Sequence, residues 1–290
     1  MIGSRPALAT AATALGLALG LGGGGPRPEI AVAAREEVID RADTAEAALA
    51  ELREHLTAAL DAGRSGGARV VAGGEAPGPM FDRAADILLR AVDAAAAAED
   101  ARARLDGARS ALAPNAAPLP PAPDPNELAA LAAQLASTAS AADAFSAIRI
   151  GAESVTSTLE DALTALEAGD IDEADRLTAT AREAVEAVSG PALEGAVISI
   201  WRETVDAMIG AMERLLMAAR ADDASAAEAA AAELAALAEE AREADRALRI
   251  ALGEAGSAVS ATPLSRLAAL LEATDRLLGA VAASREGAGR

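Results

Sequence analysis

Residues 126–168 read NELAALAAQLASTASAADAFSAIRIGAESVTSTLEDALTALEA. Positions 128, 131, 135, 138, 142, 145, 148, 152, 155, 159, 162 and 166 form one stripe of apolar residues plus Thr138, and every step is three or four residues. That spacing keeps one helix face dry for about 65 Å if the helix is continuous. Gly151 is the one position where it would kink. Gly169 supplies a C-terminal stop, and Asp170 with Glu173 offers the capping box of a following helix. The turn is short, so the two helices should be antiparallel neighbours.

The composition supports extending this reading to the whole chain. Of 290 residues, 86 are alanine, the best helix former because ordering it costs no side-chain entropy. Tyr is absent, Phe and Trp total three, and Val plus Ile number 23, which leaves little for strands. Leu, Ile, Val and Phe together number 59 at a net charge of -20, near the level where disorder is considered. The alanine content restores the case for order. The expected fold is therefore all-α: an antiparallel bundle of six to seven long Ala-rich helices after an N-terminal export signal.

Residues 1–33 are read as that signal. Arg5 gives a positive start, Ala7 to Leu21 carries no charge, Gly22 to Gly25 breaks the run, and Ala31-Val32-Ala33 is a small-x-small cleavage sequence. Cleavage after Ala33 would start the mature chain at Ala34. The apolar run is 15 residues, short of the roughly 20 that a spanning helix needs, so an uncleaved anchor is the weaker alternative. Nothing later spans a membrane, because Arg, Glu or Asp recurs every few residues. The expected location is a bacterial envelope or the medium outside it.

Three further segments follow. Residues 34–112 are an N-terminal helical hairpin, with a first helix at about 29–62, a Gly-rich break at 63–79 and a second helix at about 80–112. Residues 113–125 hold six of the thirteen prolines and read as a semi-rigid linker. Residues 126–290 form a C-terminal helical bundle. Within it, Gly190-Pro191 should open a helix to about 220, and Asp222 and Asp223, then Ser225 with Glu228 as a capping box, should start the next, which continues to about 252. Thr262-Pro263 should start a separate last helix. A 53-residue offset that aligns Leu163, Ala168, Asp170 and Ala174 with Leu216, Ala221, Asp223 and Ala227 is too sparse to establish a repeat in Ala-rich sequence.

Catalytic chemistry has few residues to draw on. Cys is absent, so there is no disulfide, thiolate ligand or thiol nucleophile. The single His, His55, follows Glu51 by one turn on an acidic helix and reads as a half-exposed surface residue. Asp170, Asp172 and Asp175 cluster at a turn, but Ala174 and a missing Gly break the calcium-loop pattern. Arg149 is expected to pair with Glu153 at i, i+4. Lys is also absent, and all 25 basic residues are Arg, which fits a GC-rich coding bias. No enzyme, cofactor or metal site is expected.

A pI near 4.4 repels nucleic acid and anionic lipid. The expected role is an exported, non-enzymatic scaffold or interaction module that meets partner helices or a second copy of itself. The alternative is a binder of a small apolar ligand beside Trp201, Met208 and Met212, which share one helix.

Overall fold

The computed structural model describes residues 28–72, 76–188 and 196–290. Among these the regular elements are all helices: α1 (Pro28–Ala72), α2 (Gly78–Leu112), α3 (Pro125–Glu167), α4 (Ile171–Ala187), α5 (Ala196–Arg220) and α6 (Ala224–Gly289). The last has 66 residues, about 100 Å at the rise of an α-helix. The expected start of α5 at Gly190-Pro191 lies outside the described residues.

Cross-helix ion pairs report the directions. Arg53 meets Asp275, and Arg285 meets Asp43 and Glu46, so α1 runs opposite to the end of α6. Arg266 reaches Glu127, Arg182 reaches Glu213, and Arg220 reaches Asp175, placing α3 against α6 and α4 against α5 in the same antiparallel sense. These pairs are exposed, and each is worth about 0–1 kcal/mol at most. They mark register, while apolar burial supplies the driving force.

The burial is divided between two cores. The first is built from α1, α2, the α3 stretch from Leu128 to Ala142 and the α6 stretch from Leu267 to Ala288. The second is built from the α3 stretch from Phe145 to Ala162, α4, α5 and the α6 stretch from Leu234 to Leu252. Both α3 and α6 thus serve two cores. The hydrophobic division falls inside these helices, whereas the sequence suggested one at the Pro-rich segment. Between α1 and α2 the buried positions combine Leu, Val38 and Phe81 with many alanines, among them Ala42, Ala45, Ala59, Ala84, Ala91, Ala95 and Ala98, and such small side chains let helix axes approach closely. The Met-bearing α5 contributes to the second core alone.

Of three expected interruptions, the one at 63–79 is shortened to the stretch between Ala72 and Gly78, and the other two are absent. The Gly-rich stretch does not end α1, which continues to Ala72. A Cβ at Gly63 would lie 2.5 Å from Leu264 Cδ2, and one at Gly66 would lie 2.9 Å from the Phe81 ring. Glycine therefore serves close helix contact here, at an intrinsic cost of about 1 kcal/mol per residue relative to Ala. Nor does Thr262-Pro263 start a new helix. Pro263 lies inside α6, so the expected sixth and seventh helices are one. Gly151 likewise interrupts nothing: α3 passes through it with Val188 packed alongside.

Local caps follow the sequence in part. Gly169 takes a positive φ of 82°, the left-handed turn expected there. Asp170 accepts from the Glu173 amide, but the Glu173 side chain pairs with Arg176 rather than closing the box. Of the residues expected to start α6, Asp223 is the cap and accepts from the amides of Ser225 and Ala226, so Ser225 does not form the box with Glu228.

The cap of α2 comes from another helix. Pro77 offers no side-chain acceptor, and Asp143 of α3 accepts from the Gly78 amide at 2.9 Å. A Cβ on Gly78 would lie 2.1 Å from an Asp143 carboxylate oxygen. Asp143→Ala should cost about 1 kcal/mol in urea unfolding, with Asp143→Asn retaining most of the stability. Gly78→Ala should cost a similar amount and add little in the Asp143→Ala background.

Candidate functional site

Trp201, Met208 and Met212 lie on one face of α5 and all point into the second core, at 0%, 8% and 0% exposure. They share that core with Val155 and Leu159 of α3. Trp201 is the largest fully buried side chain, and its indole N–H has no acceptor among the described residues. A buried indole usually finds one, so this group carries an unmet demand for a hydrogen bond.

The other singled-out residues take ordinary positions. His55 is half-buried on α1, and Glu51 one turn earlier is exposed. Asp170 caps α4, while Asp172 and Asp175 both face Arg220, at 3.7 and 2.8 Å. The single guanidinium offsets part of the charge of these two acids, mainly that of Asp175. Arg149 donates to Glu153 at 3.1 Å as the spacing requires. Ala31, Ala33 and Ala34 occupy the first turns of α1 and none is buried; from Ala31 onward the first buried residue is Val38. Among the described residues no set of three or more His, Cys, Asp or Glu side chains is placed to hold a metal ion.

Two openings lie away from Trp201 and His55. A cleft of about 550 Å³ lies between α4 and α5, bounded by Arg182, Val185, Glu186, Arg202 and Asp206. Arg202 Nε is buried there without a partner among the described residues. A much smaller cavity of about 20 Å³, room for one water, sits where the two cores meet, lined by Val70, Phe145, Ser146 and Leu252 among others.

The remaining polar constellation binds the Pro-rich segment to α2. Glu99 accepts from the Ala122 amide at 3.0 Å and from Arg102, and Arg102 donates to the Leu119 carbonyl at 3.4 Å. One turn on, Asp106 accepts from the Leu119 amide at 3.1 Å. Leu119 itself is buried in the first core. Residues read as a linker are therefore strapped to the helix before them, and the Pro118 to Pro121 stretch lies in that strap. In the sequence, Glu99, Arg102 and Asp106 look like one more solvated charged face, because the strap that meets them has no helical period.

No family model, no curated protein and no solved structure matches the chain. Among the described residues no helix is long and apolar enough to cross a membrane.

The strap has a pH signature. The Arg102 hydrogen bond, aided by the Ala122 amide and opposed by partial burial, holds the Glu99 carboxyl below its ordinary value of 4.5. A depressed carboxyl pKa stabilises the fold fully above the unfolded value and loses that contribution as pH falls through the folded one. Thermal unfolding should therefore show Glu99→Gln lowering stability at neutral pH, with the gap to the parent chain closing as pH falls below about 4.5.

Proposed function

We propose that the protein is exported and acts outside the cytoplasm as a non-enzymatic helical scaffold or interaction module, an antiparallel bundle of long Ala-rich helices. The observation that carries export is the charge-free run from Ala7 to Leu21 followed by Ala31-Val32-Ala33. The burial pattern is compatible with cleavage there. A chain starting at Ala34 would keep every buried residue from Val38 onward, so both cores would remain whole. The scaffold reading draws support from the continuity of α3 and α6, which string two cores along an extended body. Outward-facing Leu89, Ile150, Ile200 and Ile250, each at least half exposed, give partner helices apolar contact points.

A single preparation tests this reading. The protein is purified from its host's envelope, its N-terminus is sequenced and its companions are identified. The expected result is a chain beginning at Ala34 in the extracytoplasmic fraction with a reproducible partner or a second copy of itself. A cytoplasmic, uncleaved monomer would overturn it.

One observation favours a second reading, a small apolar ligand in the second core. It is the indole N–H of Trp201, which has no acceptor among the described residues and which an apolar molecule carrying one acceptor oxygen would satisfy beside Met208 and Met212. Because the chain has one Trp, emission reports on this place alone. Titration with medium-chain alcohols and ketones should shift that emission saturably if the reading holds. A flat response across the series would remove it.

A further inference from the structure

The two cores are joined by α3 and α6, and α6 is weakest where it passes from one to the other. Between Leu252 and Leu267 its buried positions are Gly256, Ser260 and Pro263, all small or lacking a full apolar side chain. Pro263 has no N–H, so the Val259 carbonyl loses its helical donor. Ser260 Oγ turns back onto the carbonyls of Gly256 at 3.0 Å and Ser257 at 3.2 Å, a pattern that bends helices. Gly253 and Gly256 add the entropic cost of glycine inside a helix. A free helix of this sequence would bend or break here, as the sequence alone suggested.

What spans the weak stretch is the end of α1. A Cβ on Gly67 would stand 3.6 Å from Ser260 Oγ, and one on Gly63 would stand 2.5 Å from Leu264 Cδ2. Val70 seats on the bare backbone of Gly256, where a Cβ would lie 1.9 Å from Val70 Cγ1. On another side Phe145 of α3 comes within 3.8 Å of the same point. Beside this contact lies the cavity of about 20 Å³, and the Ser146 Oγ that lines it has no partner among the described residues. The seam is thus closed through close contacts at glycines, and on the α6 side only Gly256, Ser260 and Pro263 are buried between Leu252 and Leu267.

We infer that the last turns of α1 are a latch. While residues 63–70 lie along residues 256–264, α6 is one rod and the cores keep one relative orientation. When the latch is displaced, α6 hinges between Gly256 and Pro263 and the cores swing about α3. The glycines serve both states, since they permit the close contact and leave little to hold it once Val70 is moved.

The absence of Cys makes the test direct. Glu54→Cys and Glu203→Cys, both at exposed positions, place one spin label on each core of the full chain. The expected result is a narrow distance distribution in that parent and a broad one after adding Gly256→Val, which displaces Val70, with helicity by circular dichroism retained. Adding Pro263→Ala to the Gly256→Val chain restores the donor to Val259 and should narrow the distribution again. Amide exchange should rise about tenfold at 257–264 in Gly256→Val and stay unchanged at 234–248 and 270–281. Should Gly256→Val fail to fold, Val70→Ala removes the same contact without added volume and carries the same expectations. A distribution that stays narrow, or exchange that rises evenly along all of α6, overturns the latch.

Discussion

The architecture depends on one steric allowance, the bare backbone of Gly256 beneath Val70. An ordinary side chain there would push α1 off α6 at the level where the two cores meet. With it in place, α1 lies along α6 from Asp43 opposite Arg285 to Val70 over Gly256, and the first core closes. Gly63 and Gly66 extend the same allowance toward Leu264 and Phe81. Each glycine weakens its own helix, and the close contacts it permits offset that loss. The balance is between local propensity and tertiary approach, and here approach wins at three positions on two helices.

This balance explains which parts of the fold can be read from the sequence. The stripe from Leu128 to Leu166 is legible because each member repeats a local rule, and the structure buries most of it. The turn at Gly169 and the cap at Asp170 are legible for the same reason. Glycines 63, 66 and 67 are misread, because their usual meaning is a break and their meaning here lies with Phe81, Ser260 and Leu264, distant in the chain. Pro263 is misread likewise. A helix crosses it because cores on both sides hold α6 in line, which no local pattern records.

The candidate site residues divide along the same line. Trp201, Met208 and Met212 are readable as one buried face because they share a helix. Arg202 is not readable as a cleft residue, because the cleft requires α4 to end where α5 continues. Glu99, Arg102 and Asp106 gain their role only when the prolines after residue 113 turn back along α2. Prolines stiffen a segment without stating where it goes. The direction is set by backbone amides and carbonyls at Leu119 and Ala122 that meet those charges.

The sharing of α6 also fixes an order of assembly. The first core needs residues 267–288 of the same chain, and the contact between Arg285 and Asp43 spans 242 positions. During synthesis α1, α2 and α3 emerge early yet must keep one apolar face uncovered until the last helix arrives. The second core draws on contiguous residues from Phe145 to Leu252 and closes without that wait. The core begun first is therefore the core completed last, and a polypeptide built this way stays open along α1 and α2 until residues 267–288 are delivered.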